Sequence, residues 1–235
     1  MWVLDLNFVV QVTATDLGDS NVLGSAVWKS VTPRFSPGPL SHASVCVLAK
    51  KAFIYGGIRS NEESNNKLLA FDSVHEQWEV VKAKGTPPGA LDEHTAVIRD
   101  DGKMFIFGGF GPDGELTNDT FIFNVNNYTW LPEKSPSDCR PKPRAGHSAL
   151  LLRNKMYVFG GKGGDCIKYN DLWIFDTHYL TWEQVYIQQD IESWIPEERS
   201  GQSMFNYKGK IVVYGGMHHV LHELGDLSIF DPVDT

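Results

Sequence analysis

Short apolar runs and polar turns alternate along this chain in a repeating order. The run MYVFGG at 156–161 is followed by a polar loop, a second run LWIFD at 172–176, a tight polar turn and Trp182. MFIFGG, TFIFN and Trp130 repeat that order upstream, and AFIYGG, LLAFD and Trp78 do so before them. The second glycine of each pair stands at Gly57, Gly109 and Gly161, 52 residues apart, and the tryptophan follows 21 residues later each time. A fourth copy, IVVYGG with LSIFD, has its pair at Gly215-Gly216, 55 residues further on. A repeat near 50 residues is the length of a propeller blade.

Each unit reads as four strands. The first follows a histidine position, at 43–48, 95–98, 148–152 and 203–206, and a turn such as 99–103 or 206–209 reverses it. The second strand ends in the glycine pair, the third is LLAF, TFIF, LWIF or LSIF, and the fourth surrounds the tryptophan. These runs lack clean alternation, as expected of strands covered on both faces. Because successive strands reverse, loops partition by parity. The connections between strands two and three, and those between blades, fall together on one face. They are the long ones: 58–67, 110–118, 162–170 and 217–225 within blades, and 81–93, 131–146 and 184–201 between them.

The ends are irregular. Trp2-Val-Leu-Asp5 aligns with Trp173-Ile-Phe-Asp176 as a third strand, and Trp28, 50 residues before Trp78, marks a fourth. The stretch between them, 6–27, carries an insertion rich in Thr, Asp, Gly and Ser that reads mostly as loop. One domain over 1–235 is expected: a partial blade at 1–31, blades at 32–81, 82–131 and 132–185, and a blade at 186–235 lacking its last strand. That gives about four to five blades in a propeller that is incomplete or part of a larger ring. The strand around Trp28 is one way to complete the last blade, leaving Trp2–Asp5 surplus.

The glycine pair, the aromatic at fixed distance and the openings Arg144-Ala-Gly-His147-Ser, Leu40-Ser-His42-Ala and Asp92-Glu-His94-Thr together resemble the kelch repeat, over about residues 32–231. The resemblance implies an all-β propeller of four-stranded antiparallel blades around a channel. It also implies a non-enzymatic protein-interaction module, a scaffold or adaptor, although fold alone does not license a function. The alternative is a small-molecule enzyme or a metal-dependent specifier-type protein on the same scaffold. Galactose oxidase resembles the architecture but needs a cysteine-linked tyrosine at copper, and none of the three cysteines has that context. Nitrile-forming kelch proteins use Glu-x-x-x-Asp-x-x-x-His; Glu115 and Asp119 match, but Phe123 stands where the histidine is needed and cannot ligate.

Composition narrows the partners. A net charge of −8 argues against nucleic acid and anionic membranes. No apolar run approaches the roughly 20 residues of a membrane-spanning helix. Three cysteines, Cys46, Cys139 and Cys166, are odd in number and unpatterned, which fits reduced thiols and a cytoplasmic location. No cofactor is expected.

The long-loop face is the expected site, since binding residues gather on long loops of a rigid scaffold. Arg144 and Arg199 share one repeat position there, and two such groups on neighbouring blades suit a carboxylate or phosphate. The partner expected is a protein or peptide with an acidic or C-terminal carboxylate feature. The competing reading pairs both arginines with acids of their own loops, such as Glu197, Glu198 or Asp165. Arg59, Arg140, Tyr169 and Trp194 complete the candidates. The recurring glycine pairs point to close backbone approach rather than phosphate binding, and His42, His94 and His147 to backbone hydrogen bonding. His218 and His222 would share a helical face if 217–225 coiled, a weak metal candidate.

Overall fold

The computed structural model describes residues 30–61, 63–132, 139–186, 195–219 and 222–232. Residues 1–29, which hold most of the partial blade expected at 1–31 and its insertion at 6–27, and Trp194 lie outside the described residues. The first blade comprises β1 (Ser44–Leu48), β2 (Lys51–Tyr55), β3 (Leu68–Asp72) and β4 (Gln77–Val80). The second is β5 (Thr95–Ile98), β6 (Lys103–Phe107), β7 (Thr120–Asn124) and β8 (Thr129–Leu131), and the third β9 (Ser148–Leu152), β10 (Lys155–Phe159), β11 (Leu172–Asp176) and β12 (Thr181–Val185). The fourth holds β13 (Ser203–Tyr207), β14 (Lys210–Tyr214) and β17 (Leu227–Phe230). Between β14 and β17 the long loop folds into a small hairpin, β15 (Met217–His219) with β16 (His222–Glu223). Every strand pairing within a blade is antiparallel and joins neighbours in sequence, except that β14 pairs with β17 across the β15–β16 hairpin.

The blades are arranged radially: β1 packs on β5, β5 on β9 and β9 on β13, so the first strands line the centre. The second strands of the first three blades are buried on both faces, which is why their apolar runs do not alternate. Phe53 and Tyr55 of the first blade close on Met104, Ile106 and Phe123 of the second. Phe105 and Phe107 close on Met156, Val158, Trp173 and Phe175 of the third, and Tyr157 and Phe159 on Ile211 and Val213 of the fourth. In each case one face of a blade meets the opposite face of the next. The equivalent outward face of the fourth blade carries Phe205, Tyr207, Tyr214, Leu227 and Ile229, all between 45% and 59% exposed. Among the described residues no blade covers it. No helix among them is long and apolar enough to cross a membrane.

The histidine position has a plain structural use. His94 shares a 2.7 Å hydrogen bond with Ser44 Oγ, and His147 a 2.8 Å bond with Thr95 Oγ1. In the fourth blade Gln202 takes the place, donating to Ser148 Oγ at 3.0 Å and to the Phe159 carbonyl at 2.8 Å. The second, third and fourth blades thus each pin their opening to the first strand of the blade before. Burial pushes His94 down to about 4, and burial, with the Arg144 and His94 charges added, pushes His147 down to about 3. The unfolded chain takes up these protons near pH 6.5, the native one only far lower. Stability from this source is complete above pH 6.5 and falls as pH drops from there toward 3. Urea midpoints measured between pH 7.5 and 4.5 will therefore decline, and His147→Gln, copying Gln202, will flatten the decline. An unchanged slope in that variant would contradict the assignment. Burial likewise pushes the Cys46 thiol up to about 12, which keeps it un-ionised and unreactive at neutral pH.

A candidate partner-binding face on the long loops

Behind each glycine pair the loop between strands two and three leaves the blade as a narrow ladder. Phe110 bridges both Asp92 and Leu116, and Lys162 bridges Ala145 and Lys168. Gly111 N–H donates to the Glu115 carbonyl and Gly163 N–H to the Ile167 carbonyl, both at 2.8 Å. These ladders stand the loops up as ridges. Between the ridges of the second and third blades lies an open groove of about 550 Å³, lined by Phe110, Glu115, Leu116, Lys142, Pro143 and Tyr169.

The charged residues lining the groove are one lysine and one glutamate, Lys142 and Glu115, both exposed. Lys142 is exposed at its rim. Lys162 Nζ sits 5.3 Å from the centre of the Phe110 ring and pairs with Glu93 at 2.8 Å. Lys168 donates to the Met217 carbonyl, and burial and the nearby Lys162 charge lower its pKa. Its apolar floor and mixed rim suit an extended segment better than a small polar substrate.

Arg144 and Arg199 are corrected by the structure. Both are 0% exposed and neither guanidinium opens on the groove. Arg144 holds Asp171 with two bonds of 2.6 and 2.9 Å, and donates to the Gly160 and Lys142 carbonyls at 3.0 Å each. Arg199 repeats the pattern on Asp226, at 2.8 and 2.9 Å, and on the Gly215 and Glu197 carbonyls. Burial pushes Asp171 up, but the hydrogen bonds and charge of Arg144 outweigh it and hold the carboxyl below its ordinary range. The hydrogen bonds of Arg199 lower Asp226 in the same direction. Their carboxylates are internal, so an anionic partner is not theirs to hold. The acids also differ from Glu197, Glu198 and Asp165: each lies 27 residues after its arginine. That recurrence was the available signal, since Asp119, Asp171 and Asp226 share a repeat position. Blade two keeps the aspartate without its arginine, because Leu91 stands there, and Asp119 pairs instead with Arg140 at 3.8 Å.

Arg59 donates to the Pro37 carbonyl at 2.6 Å and fixes the opening of the first blade. Tyr169 does lie in the groove, with its ring 4.4 Å from the Arg144 guanidinium, so the buried arginine supports the aromatic wall from behind. Phe110, Leu116 and Lys142 belong to no repeat motif, and sequence spacing does not single them out. The described residues of 217–225 form no helix: His219 faces His222 across the β15–β16 pairing, and His218 shares a 2.7 Å bond with the Glu198 carbonyl. The helical spacing that motivated a metal site at His218 and His222 is absent, and the described residues contain no group of three or more His, Cys, Asp or Glu able to hold a metal.

Comparison with known proteins agrees with this geometry. The KLHDC2/KLHL20/DRC7 Kelch-repeats domain description matches residues 25–235. Kelch domain-containing protein 3 of Homo sapiens is 31% identical over 204 residues, covering 81% of this chain and 51% of that protein. An Arabidopsis thaliana F-box/kelch-repeat protein is 28% identical over 223 residues, covering 87% of the chain and 45% of its own length. Host cell factor of Drosophila melanogaster is 29% identical over 233 residues, covering 91% of the chain and 15% of itself. The chain therefore spans about half, or less, of the length of these curated relatives. Built of pinned four-stranded blades with glycine-pair turns, it belongs to the kelch-repeat family of β-propellers.

Proposed function

We propose that this chain is a non-enzymatic protein-interaction module, a scaffold or adaptor acting in the cytoplasm, that takes an extended peptide segment of a partner protein in the groove between its second and third blades. The observation that carries the reading is the groove itself. It combines an apolar wall, Phe110, Leu116 and Tyr169, with an exposed cation, Lys142, on ridges held by a rigid scaffold. An acidic side chain or C-terminal carboxylate of the partner would be met by Lys142, the one lysine lining the groove, rather than by the buried arginines. The curated relatives include an F-box/kelch-repeat protein and host cell factor, names compatible with assembly roles.

The test is capture of partners from native extract by the chain and by Leu116→Glu/Lys142→Glu, both positions lying outside the buried core. The two proteins should melt alike. Loss of the captured partners in the double variant is expected, together with weakening of wild-type capture between 50 and 300 mM salt. Equal capture by both proteins would reject the groove.

A further inference from the structure

The sequence contains two Asp-Gly pairs, Asp101-Gly102 and Asp113-Gly114, and both stand in turns of the second blade. In such a pair the glycine amide can reach the preceding side-chain carboxyl with least hindrance, because glycine has no Cβ and moves freely in φ and ψ. The fold treats the two pairs oppositely.

Asp101 is tied from several sides. Its Oδ2 accepts from Arg99 Nη2 at 2.8 Å and lies 4.0 Å from Lys103 Nζ, and its Oδ1 accepts from the Lys103 N–H at 3.3 Å. Its main-chain carbonyl accepts from Asn126 Nδ2 at 2.8 Å. Gly102 is buried, with Asn126 Nδ2 only 2.6 Å from where a Cβ would stand, and its N–H donates to the Arg99 carbonyl at 3.0 Å. The Asn126 side chain thus holds both halves of the pair.

Asp113 stands at the tip of the second-blade ridge, where the chain turns over beyond the bridge from Phe110 to Leu116. Asp113 and Gly114 are both exposed. Among the described residues the Asp113 carboxylate has no hydrogen-bond or ion-pair partner. Gly114 sits at φ +75° with nothing within 4 Å of a Cβ position, and its N–H makes a 3.0 Å bond to the Gly111 carbonyl. A single turn bond at an exposed tip opens at little cost.

We propose that Asp113 is a modification site, at which the folded chain spontaneously converts the Asp113–Gly114 peptide to an isoaspartyl linkage while Asp101–Gly102 is protected. The Gly114 amide nitrogen attacks Cγ of the protonated Asp113 carboxyl. The N–Cγ bond forms, the carboxyl hydroxyl leaves with the amide proton as water, and a cyclic imide results. Water then adds at the Asp113 main-chain carbonyl carbon and breaks its bond to the Gly114 nitrogen. The chain now runs through Cβ and Cγ, and Asp113 carries a free α-carboxylate. Water is the only co-reactant, and nothing is oxidised or reduced. The product lengthens the ridge by one methylene beside Gly114, Glu115 and Leu116, which line the groove. The reaction does not depend on what the groove binds.

The test incubates the whole chain at physiological pH and temperature, native and in urea. Isoaspartate is then located by peptide mass spectrometry and by methyl transfer from an isoaspartyl methyltransferase. In the native chain it should accumulate in the peptide holding Asp113 and stay at background in the one holding Asp101. In urea, where the ties on Asp101 are gone, the two peptides should gain it at similar rates. Gly114→Ala, which adds the hindering Cβ, should cut the signal at Asp113 several-fold. No isoaspartate at Asp113 in the native chain, equal yields at both sites, or a preference for Asp113 that persists in urea would overturn the proposal. An undiminished signal in Gly114→Ala would overturn it as well.

Discussion

Arg144→Met will lower the unfolding free energy by about 3 kcal/mol, the lower end of the range for breaking a buried ion pair from one side. The guanidinium is fully buried and makes two bonds to Asp171 and two to backbone carbonyls. Its removal leaves a carboxylate in a site that penalises charge, along with orphaned carbonyls. Asp171 keeps 22% of its side chain exposed, which is why the lower end applies. Adding Asp171→Asn removes the stranded charge while leaving an acceptor for the Trp173 indole N–H, which donates to Asp171 at 2.7 Å. The double variant should recover part of the loss. Urea denaturation of the two variants and the parent checks this. A double variant no more stable than Arg144→Met would mean that the carboxylate is not what the arginine serves.

Gly109→Ala will cost a similar amount, about 3 kcal/mol, by a different route. The glycine sits at φ +94°, and a Cβ there would lie 2.4 Å from the Asp92 carbonyl oxygen and 2.8 Å from His94 Cβ. Neither neighbour yields cheaply. Asp92 belongs to the ladder with Phe110, and His94 is the pin to the first blade. Gly114→Ala separates strain from collision, because its φ is +75° with nothing within 4 Å of the new atom. It should cost only about 1 kcal/mol, the left-handed penalty alone. Thermal unfolding of both variants decides the matter, and equal losses would contradict the close-approach account.

The same glycine shows how far the sequence carries. A pair recurring every 52 residues after an apolar run can be read as a backbone contact, and the contact proves to be with the opening of the next unit or of its own. Strand order, the glycine turns and the tryptophan positions are all legible, because repetition averages out what any one segment leaves ambiguous. The arginines show where it stops. Sequence places Arg144 and Arg199 at blade openings but does not say which way a side chain turns. The partner acid comes 27 residues later, across a long loop, and only the folded register brings the two together. The hairpin within 217–225 was also unreadable, since a two-residue strand has no periodicity. The groove escapes for the opposite reason. Phe110, Leu116 and Lys142 do not repeat, so the signal that reveals the blades is silent on what distinguishes one inter-blade surface from another.

The central claim, that partners engage the long-loop face, is tested most directly by site-specific photocrosslinking. A photoreactive residue placed at Leu116 lies in the groove, and one at Tyr179, which is 72% exposed in the β11–β12 turn, lies on the opposite face. Crosslinking in native extract, read by mass spectrometry, should give partner adducts from position 116 and none from position 179. Adducts from position 179 alone, or equally from both, would contradict the account.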